Sequence, residues 1–255
     1  MAGVYVHIPF CSQSCHYCDF HFSTSLKIKE RMIICINREI RQKKKYLKNP
    51  VIQTIYFGGG TPSLIPVTLI KEILHTIRSN FKLIYNVEIT IEANPDDITE
   101  EKIKQWHKIG INRVSLGIQS FRDQDLIYMN RSHNSQQSIV ALDILSKSII
   151  QNISIDLIYG FPLLTDLGWL ENLEKAIKYN INHISCYCLT VETKTALYHF
   201  IKIGQQKPID PQKGVSQFLA ARKLLISAGY HHYEISNFCI CQFTCNYVCA
   251  FSRLP

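Results

Sequence analysis

Cys11, Cys15 and Cys18 lie in the run Cys-Ser-Gln-Ser-Cys-His-Tyr-Cys, a C-x3-C-x2-C spacing directly after the apolar stretch Val4 to Phe10. Three thiolates on a short loop after a strand can hold three corners of a cubane iron–sulfur cluster. The fourth iron then has no protein ligand and stays open to a small molecule. Two plainer readings compete. Half of a zinc site would want more ligands, commonly as C-x2-C pairs, and the next cysteine, Cys35, falls inside a helical pattern. A disulfide framework would want an oxidising compartment, and no signal peptide is evident. Iron–sulfur sites normally take four cysteines, so three make sense where one position is meant to stay open.

Other residues could do chemistry beside them. Gly58-Gly59-Gly60-Thr61-Pro62 follows an apolar strand pattern directly. Consecutive glycines cost backbone entropy but let the chain approach a ligand closely, so more than a tight turn is expected here. No Gly-Lys-Ser/Thr follows, which excludes a Walker loop. Glu92, in Ile-Glu-Ala-Asn-Pro, closes a strand; a carboxylate there can hold ribose hydroxyls or an ammonium, or simply face solvent. Asp156 is flanked by Ile155 and Leu157, and burying it is costly unless it is paired or ligand-bound. Arg131 could pair with Asp156 or with a ligand carboxylate. Gln119 stands at a strand end in an otherwise apolar or small setting.

These groups need elements to position them. Strands are expected at Tyr5 to Ile8, Thr54 to Phe57, Asn86 to Ala93, Arg113 to Ile118, Ile153 to Tyr159 and Ile184 to Leu189. Helices are expected over 27–46, 66–79, 99–109, 135–148 and 168–179, the third capped by Thr99 and closed at Gly110. Six β–α or β-loop units in order argue a parallel sheet with helices outside it, within an α/β fold. They suit a partial (β/α)6 barrel, in which chemistry sits at the C-terminal strand ends. The candidate residues cluster there, with Asp156 inside the fifth strand. Residues 1–190 read as this core and 191–238 as a short α/β extension. Within the extension, 192–214 reads as a loose stretch, 215–228 as a helix and Tyr230 to Ile235 as a last strand.

The chain has 255 residues, 46% of them hydrophobic, enough to bury a sizeable core. No stretch approaches the ~18 apolar residues of a membrane span. Ten cysteines without a secretory signal suggest a reducing cytoplasm, with some thiols serving as ligands. Much of the net charge of +8 lies between Arg38 and Lys48. Ile33, Ile34, Ile36, Ile40 and Leu47 run beside it, so it reads as the solvated face of an amphipathic helix. No nucleic-acid partner is expected, while contact with anionic ligands or a membrane surface stays open.

The cysteine spacing with Tyr17, the Gly-Gly-Gly-Thr-Pro turn and the polar strand ends resemble the radical SAM superfamily. More narrowly, Tyr5 to Cys11 (Tyr-Val-His-Ile-Pro-Phe-Cys), Tyr17 to Phe20, Phe57 to Ser63, Ile91 to Pro95, Leu116 to Phe121 and Asp156 to Pro162 are similar to the HemW heme-chaperone family. That family is a relative of oxygen-independent coproporphyrinogen III oxidase. The resemblance covers residues 3 to about 238. It implies that Cys11, Cys15 and Cys18 ligate a [4Fe–4S] cluster whose open iron chelates S-adenosylmethionine (SAM). Electron transfer into the sulfonium would then give a 5′-deoxyadenosyl radical. Tyr5, Gly59 and Glu92 match SAM contacts of the oxidase relative. Tyr17, Gly60, Thr61, Gln119, Arg131 and Asp156 match further nucleoside or methionine contacts there, some of them from a second SAM site. The oxidase branch carries another cysteine two residues after the third ligand, where this chain has Phe20. It also has a long extension before its cluster. Both differences imply the chaperone branch, with heme as cargo and heme-acceptor proteins and an electron donor as partners. Porphyrin-decarboxylating oxidase is the alternative, and an inactive remnant or metal-binding module the third.

The end departs from the family. After Phe238 the pattern calls for a His-Asn-x-x-Tyr-Trp segment and a further domain. Here Cys239, Cys241, Cys245 and Cys249 follow within a short run. A second metal site would fit four cysteines. The abrupt loss of the family pattern argues instead for a shifted reading frame or a truncated gene over 239–255, without the His-Asn segment.

Overall fold

The computed structural model describes residues 2–46, 51–240 and 244–246. Six strands run parallel in chain order: β1 (Ala2–Ile8), β2 (Val51–Gly59), β3 (Lys82–Ala93), β4 (Arg113–Gln119), β5 (Asn152–Tyr159) and β6 (His183–Cys188). The sheet continues antiparallel through β8 (Asn237–Cys239), paired with β6, to β7 (His231–Glu234). The order β1-β2-β3-β4-β5-β6-β8-β7 leaves β1 and β7 at opposite edges. This is the α/β arrangement expected of a partial barrel with a short extension.

The strands alternate because their two faces have different jobs. On β3, Ile89 and Ile91 are fully buried, while Glu88, Thr90 and Glu92 share the other face. The apolar face packs on α2 (Val67–Asn80) and α3 (Glu100–Ile109), which bury Ile70, Ile73, Leu74 and Ile77, and Ile103 and Trp106. Each such burial contributes about 1.5–3 kcal/mol. The polar face lines the interior of the curved sheet, which explains why these parallel strands lack the unbroken apolar runs of a sheet covered on both sides.

Helix limits follow local chemistry. Thr99 accepts from the Lys102 amide at 3.2 Å, and Gly110 ends α3 with φ 101°. Helices α1 (Lys29–Lys43), α5 (Ser135–Ser146) and α6 (Asp166–Lys178) fall where periodicity put them. Three features differ from expectation. Short α4 (Asp123–Tyr128) and α7 (Ala196–Lys202) were unforeseen, because one or two turns are too short to display a period. Helix α8 (Pro211–Ser227) starts four residues earlier than 215: Asp210 caps it by accepting from the Gln212 amide at 2.9 Å, and proline is tolerated at the first helical position. Finally, Tyr230 to Ile235 is not one terminal strand but the first arm of a β7–β8 hairpin.

Cys239 closes β8, fully buried. Cys245 is also buried, its thiol 3.8 Å from Glu88 Oε1, while the Asn246 side-chain amide donates to Glu88 Oε2 at 3.2 Å. Cys241 and Cys249, with most of the cysteine-rich tail, lie outside the described residues.

Candidate active site at the C-terminal strand ends

The cysteine loop leaves β1 through Pro9 and Phe10. Phe10 is buried, and its carbonyl accepts from the Thr61 amide at 2.6 Å. The Gly60 amide donates to Ile8 O at 2.9 Å. The glycine turn after β2 is thus stitched to the base of the loop. A Cβ on Gly60 would lie 2.6 Å from Phe10 O, 2.8 Å from Phe10 N and 2.9 Å from Ile8 O, so only glycine fits.

Cys11, Cys15 and Cys18 are half-buried free thiols. Burial raises the Cys11 thiol above its ordinary value, against a hydrogen bond with Thr61 that pulls it down. Burial pushes the Cys18 thiol up to about 11. Both therefore hold their protons until a metal displaces them. Arg131 reaches the loop from the turn after the helix that follows β4. Its Nη1 donates to Cys15 Sγ at 3.4 Å and to the Tyr17 hydroxyl at 3.5 Å. Its Nη2 donates to Asn94 Oδ1 at 2.7 Å and Gly117 O at 3.0 Å.

Beside the loop lies a cavity of about 630 Å³. Among its walls are Cys11, Cys15, Cys18, Tyr17, Gly59, Gly60, Thr61, Glu92, Gln119, Arg131 and Asp156. Eleven residues singled out in the sequence thus meet in one place. Tyr5 does not reach the cavity wall. It stands behind it, stacked on Tyr56 at 6.0 Å and held to His7 Nδ1 at 3.3 Å.

Two carboxylates define the cavity's electrostatics. Glu92 Oε1 accepts from the Tyr56 hydroxyl at 2.9 Å, and Oε2 from the Gly59 amide at 3.1 Å. Burial, then the nearby charge of Asp156, raise Glu92 to about 7 despite those bonds. Burial raises Asp156 to about 6, against a hydrogen bond from Ser185 and the charges of Arg113 and Arg131. Of the two partners open to Arg131, Asp156 is not within ion-pair reach: Nη1 and Nη2 go to Cys15, Tyr17, Asn94 and Gly117, and Nε stays without a partner. Gln119 sits at φ 65°, and its Oε1 is buried with no partner. A glutamine in the left-handed region costs about 1–3 kcal/mol, and here it ends β4 with its side chain on the cavity wall.

A search of family models matches residues 5–176 to the radical SAM superfamily. The chain belongs to the radical SAM superfamily. Membership in this superfamily carries a [4Fe–4S] cluster and SAM. The chain is 35% identical to the heme chaperone HemW of Synechocystis sp. over 92% of its own length and 58% of that protein's. It is 38% identical to HemW of Buchnera aphidicola subsp. Acyrthosiphon pisum over 96% of its length and 64% of that protein's. The chain therefore spans roughly three fifths of these curated relatives. Among solved structures it resembles coproporphyrinogen III oxidase HemN from Escherichia coli, with TM-score 0.82, 24% identity and coverage of 93% and 55%, which shows the shared fold.

The radical SAM cofactors fit the residues present. Three thiols with an open side face a cavity of ligand size, and the unpartnered Gln119 Oε1 and the shielded Glu92 carboxylate await polar groups there. Among the described residues, no three His, Cys, Asp or Glu side chains converge on a single-ion site. A cubane does not ask for that, since each thiolate binds a different iron. No helix among the described residues is long and apolar enough to cross a membrane.

Several functional groups were missed in the sequence. Tyr56 falls two residues before Gly58, and strand alternation would have put it on the glycine's face. Asn94 was quoted only as part of Ile-Glu-Ala-Asn-Pro. Gln13 and Asn130, which tie the cysteine loop to the turn after α4, gave no signal, because no local pattern announces a contact between residues this far apart in the chain. Tyr187, Cys188 and Thr190 line the cavity beyond the expected set.

Proposed function

We propose that this chain is the radical SAM part of a HemW-type heme-handling protein. Cys11, Cys15 and Cys18 would hold the cluster. Glu92, Gln119 and Asp156, with Gly59, Gly60, Thr61, Tyr17 and Arg131, would hold SAM, and Tyr5 would support them from behind. Bound there, the two cofactors supply one-electron reductive cleavage of a sulfonium. The chain's own part is to bind, orient and exclude water. The ionised form of Glu92 accepts hydrogen bonds from ammonium or hydroxyl groups, while Tyr56 and Gly59 hold its two oxygens in place. Arg131 fixes Cys15 against the cavity wall and brings positive charge to its sulfur. Heme is the cargo in this reading, and acceptor proteins and an electron donor are its partners. Free thiols are needed to ligate iron, so the reading carries a reducing, cytoplasmic location.

The observation that carries the proposal is the meeting of the three thiols, the Tyr56–Glu92–Gly59 bridge and Arg131 around one cavity. Similarity to the HemW chaperones supports the branch. So does Phe20, which stands on the cavity wall where the oxidase branch has a cysteine. Anaerobic reconstitution with iron and sulfide tests it. A brown protein that binds SAM and retains heme without consuming coproporphyrinogen supports the chaperone. Decarboxylation of coproporphyrinogen would move the assignment to the oxidase. Failure to take up iron would leave a remnant and sink both.

A further inference from the structure

We infer that Asn130 is a positioning residue that sets the geometry of the cysteine loop, and through it the placement of Cys15. The inference rests on the reading that the three thiols hold the cluster, and it is separable from that reading by experiment.

The argument begins with how α4 ends. The Asn130 amide donates to Ile127 O at 3.0 Å, and the Arg131 amide donates to Leu126 O at 2.9 Å. Those two bonds are the Schellman pattern, which needs a left-handed residue after the helix and usually takes glycine. Asn130 fills that position at φ 55°. Glycine would be the cheaper choice. Asparagine tolerates the conformation, and its side chain is used elsewhere.

All of its polar groups go to the cysteine loop. Asn130 Nδ2 donates to Ser14 O at 2.7 Å. Asn130 Oδ1 accepts from Gln13 Nε2 at 2.8 Å, and the same amide reaches Asn130 O at 3.1 Å. The neighbours continue the pattern. The His16 amide donates to Met129 O at 3.0 Å, His16 Nδ1 lies 3.0 Å from Tyr128 O, and Arg131 touches Cys15. Residues 128–131 therefore grip all of 13–16, and Cys15 is held between the gripped Ser14 and His16. The grip is itself anchored. Ser120 Oγ donates to buried Asp125 Oδ2 at 2.7 Å, and Asn172 accepts from the Phe121 amide at 2.9 Å, which pins the start of α4.

A cubane requires its three thiolates at fixed separations, so a loop held in advance loses less entropy on binding. Replacing Asn130 with glycine keeps the turn and removes only the side-chain latch. In the reduced, metal-free protein, alkylation of Cys15 by iodoacetamide, followed by mass spectrometry, should quicken about tenfold, the scale of one or two lost hydrogen bonds. Cys35, exposed on α1, serves as the internal control and should not change. The thermal midpoint should hold or rise slightly, since glycine suits the turn. Gln13→Ala should give a similar acceleration, and the double variant should be less than additive, because both remove the same contact. In reconstituted protein, iron should pass to a chelator faster in each variant. Asn130→Asp, which keeps the acceptor and loses the donor to Ser14, provides a second test should the glycine variant fail to fold. Unchanged Cys15 alkylation in these variants would overturn the inference. Faster alkylation in a chain that never takes up iron would uphold the latch and sink the cluster reading instead.

Discussion

Tyr56 and Glu92 meet across adjacent parallel strands, the phenol donating to the carboxylate at 2.9 Å. This bond and the Gly59 amide hold down a carboxylate that burial and Asp156 push up to about 7. Ionised Glu92 is the form that accepts from a ligand. SAM should therefore bind about tenfold more tightly at pH 8 than at pH 6, the ratio of ionised fractions for one such group. Calorimetric titration of the reconstituted protein measures this. Glu92→Gln should flatten the dependence, and Tyr56→Phe should move its midpoint higher. Stability runs the other way. Between the ordinary carboxylate value of 4.5 and about 7 the folded chain keeps a proton that the unfolded chain has released, so this group's contribution falls as pH rises.

Cys15→Ala should abolish iron uptake and visible absorbance while leaving the far-ultraviolet circular dichroism of the folded chain intact. The thiol is half-buried on a loop and belongs to no apolar cluster. Cys35→Ala, on the outer face of α1, should change neither signal. Loss of secondary structure in the Cys15 variant would show that the loop supports the fold rather than a cofactor.

Gly60→Ala asks for space that the backbone of Ile8 and Phe10 occupies. Overpacking of this kind costs about 1–3 kcal/mol. Urea unfolding should report that loss, accompanied by weaker SAM binding because the turn must shift off the cavity wall. A variant with wild-type stability and affinity would contradict the close approach.

Asn172 lies on α6, fully buried, and its amide donates to Ser120 Oγ at 3.1 Å while its oxygen accepts from the Phe121 amide. Asn172→Ala strands the Phe121 amide, while Ser120 Oγ keeps Asp125 and the Arg122 amide as partners. An unsatisfied buried group costs about 1–3 kcal/mol, so a loss of about 1–3 kcal/mol in chemical denaturation is expected. A loss below 1 kcal/mol would mean that water replaces the amide.

What the sequence made legible follows physical range. The six β–α units were readable because each carries its own period, caps and glycine stops, as at Thr99 and Gly110. Cys11, Cys15 and Cys18 were readable because ligand spacing is local. Glu92 and Asp156 announced themselves as charges in apolar strands. The protein partners of Arg131 were not readable for the opposite reason: the guanidinium meets a thiol, a phenol and two carbonyl oxygens that no spacing rule connects to it. Tyr5 was carried over by resemblance to a relative, and the fold sets it one ring behind the wall. Strand β8 was invisible because three residues make no pattern. Its existence depends on the free edge of β6.

The pairing of β8 with β6 also decides where the polypeptide can be divided. The superfamily match stops at residue 176, before β6 begins. Yet β6 carries Ser185, which holds Asp156, and ends in Tyr187 and Cys188 on the cavity wall. Its outer edge is covered by residues 237–239, and the flanking amides of Cys186 and Ile240 are satisfied across the same seam. What evolution passes on as a recognisable module is thus shorter than what must fold together. A fragment trimmed to the module would present a raw strand edge and a breached cavity.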